Sequence, residues 1–128
     1  MLRSIVAIIV AVITWFVAAT LGNWILRALV PGYSSAEVSM NFTLLMMICR
    51  LGLGIVASLC AGIACAAVTN RKIAAKIAAV IMVVLFVPVH YMLWAKFPIW
   101  YHIFFLGSLV PTLLIGAALS RKLFRRTV

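Results

Sequence analysis

"MNFTLLMMICRLGLGIVASLCAGIACAAV", residues 40–68, is apolar from end to end except for one arginine, Arg50, set well inside it. A bilayer's hydrocarbon core is ~30 Å thick and takes about 20 helical residues to cross. The run from Phe42 to Val68 is longer than that. Backbone amides in lipid must bond within their own segment, so a run of this kind is a helix rather than a loop or an open strand. Three more runs of similar character surround it: Ser4–Leu26, Ile73–Trp94 and Ile99–Ser120. None shows the period-2 alternation that a transmembrane barrel requires. The fold expected is therefore an all-α membrane protein, one domain over residues 1–128, with four transmembrane helices at about 4–26, 42–68, 73–94 and 99–120.

Composition agrees. The chain is 68% hydrophobic and 9% charged, far from the make-up of a soluble domain. The first run has some features of a signal peptide: Arg3, an apolar core, and Val17-Ala18-Ala19 as a small-residue cleavage pattern. It is longer than the usual apolar region of such a peptide, and is read as a retained helix.

The net charge of +10 is a topology signal rather than a nucleic-acid footprint. Arg3, Arg71, Lys72, Lys76, Arg121, Lys122, Arg125 and Arg126 fall at the N-terminus, in the second loop or in the C-terminal tail. In a four-span chain these three places share one side. Arg27 and Lys96 lie on the other side, and Arg50 within the bilayer. The positive-inside rule places both termini in the cytoplasm, as in a multi-pass protein of the cell inner membrane. Basic residues gathered there suit anionic lipid headgroups, and no basic domain is present to hold nucleic acid. Trp24, Trp94, Trp100 and Tyr101 fall at the opposite boundary, where amphipathic rings settle. The first loop, "RALVPGYSSAEVSMN" (27–41), carries a Pro-Gly turn signal. The other two connections are short.

Along the second helix Gly54, Ser58, Gly62 and Ala66 recur every four residues, and the fourth helix carries Ser108, Thr112, Gly116 and Ser120. Such small-residue rows let backbones approach closely in lipid. They can pack on each other within the bundle, or one can face a partner or a second copy. Arg50 lies one turn before Gly54 and so heads this row. An arginine at a helix centre costs about 2.5–3.5 kcal/mol to insert, which roughly ten aliphatic residues offset. The chain's single acid, Glu37, thirteen residues away, is its one intramolecular carboxylate candidate.

His90 in the third helix, together with His102 and Asn23, falls in the same outer leaflet as Arg50. Pro88 and Pro111 should kink their helices, and facing kinks can open a shallow cavity. Intramembrane ionisable groups mark functional sites by default. The plainer reading is that Arg50 snorkels to lipid phosphates and His90 bonds a freed carbonyl. If the four polar residues form a site, it is cationic and suits an anion or a partner's acidic side chain.

Other chemistry is thinly provided for. None of the four expected transmembrane helices carries an acid. Cys49, Cys60 and Cys65 form no Cys-x-x-Cys motif and read as small apolar packers, so neither a metal nor a cofactor is expected. With one acid in the chain, general acid–base catalysis lacks its usual residues, and an enzyme is not expected.

The stretch "FPIWYHIFFLGSLVPTLLIGAALSRKL", with its aromatic-proline start, proline-containing helix and basic tail, resembles a segment of small bacterial inner-membrane proteins of uncharacterised function. The opening "LRSIVAIIVAVITWFVAATLGNWIL" is similar to their first helix. The resemblance implies a four-helix inner-membrane fold and no activity. Chain size is also similar to that of the small multidrug resistance transporters. Their defining membrane glutamate in the first helix has no counterpart here, which argues against that family and its proton exchange. The function expected first is a non-catalytic accessory or assembly subunit, packing through small-residue helix faces onto a larger membrane complex. The alternative is a small homo-oligomeric carrier or lipid-binding protein for an anionic ligand. Expected partners are membrane lipids and another membrane protein or a second copy of the chain.

Overall fold

The computed structural model describes residues 1–126; the last two residues of the domain read over 1–128 lie outside the described residues. Five α-helices make up the fold: α1 (Leu2–Leu29), α2 (Tyr33–Ser39), α3 (Leu44–Val68), α4 (Lys72–Met92) and α5 (Ile99–Arg126). Four of them are long and apolar enough to cross a membrane, which makes this a multi-pass α-helical protein.

The helix limits differ from the hydropathy limits for local reasons. α3 begins at Leu44 because Thr43 caps it, its Oγ1 accepting from the Met46 amide at 3.3 Å. α5 runs on past Ser120 through Arg121, Lys122 and Arg125, good helix formers whose charge suits a helix C-terminus. The first loop is not irregular throughout. After Pro31, Gly32 takes φ +78°, a turn that favours glycine, and starts the short helix α2. Arg27 grips Glu37 on α2 with both carboxylate oxygens engaged, Nε to Oε1 at 2.7 Å and Nη2 to Oε2 at 3.0 Å. The arginine's hydrogen bond holds the Glu37 carboxyl below the usual carboxylate range. The pairing of Glu37 with Arg50 is thus replaced by one with Arg27, ten residues away in the last turn of α1.

The long helices form a ring in the order α1, α3, α5, α4, with the closest packing at α3–α5 and α1–α3. α3 and α4, joined by a tight connection, meet less than either meets α5. Side-chain size divides the bundle along its length. Towards the basic end the core is Ala7, Ala11, Ala61, Ala74, Ala78 and Ala117, all buried. Towards the tryptophan end it is aromatic: Trp15, Phe97, Tyr101 and Phe105 are buried, with Phe86 4.6 Å from the Trp15 ring. Small side chains allow backbone contact at one end, while rings hold the helices apart at the other.

Gly54, Ser58, Gly62 and Ala66 are all buried on α3. A Cβ on Gly62 would overlap the Leu113 carbonyl and stand 2.7 Å from the Ala117 amide nitrogen, and one on Gly116 would overlap the Leu59 carbonyl. The fully buried row on α5 is Leu109, Leu113 and Ala117, flanked by Gly116 and Ser120, while Ser108 and Thr112 are half-buried. Ser108 and Thr112 turn their hydroxyls back to carbonyls of Phe105 and Ser108.

Gly62→Ala is expected to destabilise the bundle by ~1–3 kcal/mol, since the overlap is with backbone that cannot swing aside. Gly52→Ala, where nothing lies within 4 Å of the added carbon, should be neutral or stabilising by up to about 1 kcal/mol. Equilibrium unfolding in mixed micelles separates the two.

Candidate functional site

Arg50 faces two phenols rather than a carboxylate. Its Nε donates to Tyr101 Oη at 3.3 Å and its Nη1 to Tyr33 Oη at 3.0 Å. Its Cζ lies 4.8 Å from the centre of the Phe42 ring, a cation–π distance. Tyr33 in turn donates to Asn23 Oδ1 at 3.0 Å. Burial pushes the Tyr33 phenol above its ordinary pKa, so it stays a hydroxyl that accepts from Arg50 and donates to Asn23. The Nη2 amino group of Arg50 has no hydrogen-bond partner among the described residues.

Each partner is brought in by a different element. Asn23 is on α1, Tyr33 on α2, Arg50 on α3 and Tyr101 on α5. Tyr33 is fully buried against Ala36 and Met46, with Leu26, Val30 and Phe42 around them. Sequence reasoning assigned Tyr101 to the interfacial belt; the structure buries it and bonds it to Arg50, whereas Trp24, Trp94 and Trp100 stay exposed. Tyr33 was passed over as part of a loop. The available signal for both was a hydroxyl at the depth of an arginine that had no acid.

Beside Arg50 lies a cleft of about 250 Å³, bounded by α1, α3, α4 and α5. Thr20, Asn23, Arg50, His90 and Tyr101 give it polar groups, and Trp15, Leu53, Phe86 and Phe105 an apolar wall. Phe16 and Val89, both exposed, form its rim between α1 and α4, so it opens sideways between those two helices. Trp15 is held in place because its indole Nε1 donates to Ser58 Oγ at 3.0 Å, and Ser58 donates to the Gly54 carbonyl at 2.8 Å. Pro88 and Pro111 are exposed and neither lines the cleft. Phe86, Val89 and His90, on either side of Pro88, do line it.

Of the four polar residues singled out in the sequence, Asn23, Arg50 and His90 line this cleft, and His102 does not. His102 instead meets His90, Nδ1 to Nδ1 at 2.6 Å, both rings buried. Trp94 stacks on His102 with centroids 4.8 Å apart.

The cleft thus combines an unneutralised cation with an apolar wall, and its volume is a little under the ~300–1,000 Å³ usual for ligand pockets. No family model, curated protein or solved structure matches the chain.

Tyr33→Phe and Tyr101→Phe should each destabilise the bundle by ~1.5–3 kcal/mol, the usual worth of a hydrogen bond to a charged group. Tyr91→Phe, at a ring 82% exposed, should cost nothing measurable. Unfolding midpoints of the three variants check this.

Proposed function

We propose that this chain is a non-catalytic inner-membrane protein that binds an anionic, partly apolar ligand in the cleft beside Arg50, with both termini in the cytoplasm. The observation that carries the reading is a half-buried guanidinium, bonded to two neutral phenols and still bearing its full charge, at the wall of a cleft. An arginine that only needed to be tolerated could snorkel to the headgroups; this one is held by partners on two other helices. Lateral opening between α1 and α4 suits a ligand arriving from the lipid phase, head towards Arg50 and tail along Trp15 and Phe86. The topology rests on eight basic residues at one end of the bundle against two at the other. The non-catalytic reading rests on the one carboxylate being taken by Arg27.

An accessory subunit is the second reading. What favours it is that Gly52 and Gly107 are exposed, with open space where a side chain would be, a surface onto which another helix could pack. Gly62 of α3 and Gly116 of α5 are already taken up by contacts between those two helices within the chain, which makes the cleft the stronger feature.

Native mass spectrometry of protein extracted gently from its own membrane is the test. The wild type should carry an anionic lipid or metabolite. Arg50→Leu should insert with the same oligomeric state and lose that ligand by tenfold or more. Retention of the ligand by Arg50→Leu overturns the binding reading, and release of a stoichiometric second polypeptide favours the subunit.

A further inference from the structure

The histidine pair is a second chemical device, which reaches the same cleft through His90. An Nδ1–Nδ1 separation of 2.6 Å requires that one nitrogen carry a hydrogen and the other a lone pair. The two remaining nitrogens differ in surroundings. His102 Nε2 is buried without a partner, under the stacked Trp94 ring. His90 lines the cleft, and its Nε2 has no hydrogen-bond partner among the described residues. When His90 is the Nδ1–H donor, its Nε2 presents a lone pair to the cleft. A proton added there leaves the bond to His102 intact and makes it charge-assisted, hence stronger. His102 is thus positioned to hold the His90 ring and to accept from it in either charge state.

We propose that anion binding beside Arg50 is coupled to uptake of one proton at His90 Nε2. This rests on the anion-binding reading above. The proton leaves the medium, or the acid group of the ligand itself, and forms the Nε2–H bond; the anion then lies between two cations, Arg50 and His90, and accepts from both. The added imidazolium charge balances the anion, so the loaded cleft gains no net charge. The ligand class this favours is a weak acid with an apolar tail, taken up as anion plus proton. Groups that could compete are few. α3 presents Arg50, α5 presents Tyr101 and His102, and α2 presents Tyr33 through its bond to Arg50. α1 presents only the uncharged Thr20 and Asn23, Tyr91 on α4 itself is exposed, and Glu37 is bonded to Arg27.

Decanesulfonate is a suitable probe, because its own charge does not change with pH. Calorimetric titration of the full chain in nanodiscs, in two buffers of different ionisation enthalpy between pH 5.5 and 7.5, counts the protons taken up. The wild type should take up as much as about one proton per anion, with affinity rising by up to about tenfold for each unit fall in pH, as one-proton linkage requires. His90→Gln, checked for an unchanged helical spectrum, should bind with no proton uptake and no pH dependence. Arg50→Gln should not bind above the level of empty nanodiscs. Binding by the wild type with zero proton uptake overturns the coupling and leaves the anion site standing, as does full uptake by a folded His90→Gln. Wild-type binding no better than that of Arg50→Gln overturns both.

Discussion

A guanidinium set among apolar helices governs one whole end of this bundle. Removing the charge from water costs several kcal/mol unless hydrogen bonds replace the lost hydration. The replacements here come from Tyr33 and Tyr101 and from the face of Phe42. Each imposes a condition on the fold. Tyr33 reaches Arg50 only because the first connection folds back as α2, and α2 is fixed at its other end by the Arg27–Glu37 pair. Tyr101 reaches it because α5 lies next to α3 around the ring. Asn23 accepts from Tyr33 and so ties α1 to the same network. Four elements converge on one side chain, and their convergence builds one wall of the cleft.

The rest of the cleft follows from a gradient in side-chain volume. In lipid no hydrophobic force drives helices together, so close packing of small residues decides where backbones touch. Alanines and glycines hold α1, α3 and α5 against each other towards the basic end. The same helices, followed towards the tryptophan end, meet Trp15, Phe86, Tyr101 and Phe105, whose rings are too large for backbone contact. Rings alone do not fill the space between the helices there, and the cleft is what remains. The Trp15–Ser58–Gly54 chain of hydrogen bonds fixes the largest ring at the point where close packing gives way to open space.

The spans were legible in the sequence because hydropathy over twenty residues is a property of each segment alone. So was the direction of Arg50, since it shares a helical face with Gly54, Ser58 and Gly62, all of which are buried on α3. Its partners were not legible. Tyr33 depended on whether fifteen residues of loop would fold into a helix, and Tyr101 looked like a ring at the membrane boundary. His90 and His102 were placed at similar depth, but their contact depends on rotation of α4 and α5 about their own axes, which no single-segment pattern reports. The helix limits missed by hydropathy were set by caps and charges: Thr43 at the start of α3, and the basic turn that continues α5.

The choice of partner decides whether Arg50 keeps its charge. A carboxylate beside Arg50 would satisfy it and cancel its charge; two unit charges 4 Å apart attract by about 4 kcal/mol at an effective dielectric of ~20, and an incoming anion would have to displace that partner. Phenols satisfy the N–H groups and leave the charge in place. The chain's one carboxylate is bonded instead to Arg27, on a side chain nearly half exposed, where solvent screens the interaction and little is gained for stability. Glu37 thus links α2 to α1 and leaves Arg50 free of a carboxylate, α2 carries Tyr33, and Tyr33 bonds Arg50 without neutralising it. The charge that remains lies at the wall of a cleft lined largely by aromatic rings, and on the proposed reading an anion is the species that it draws in.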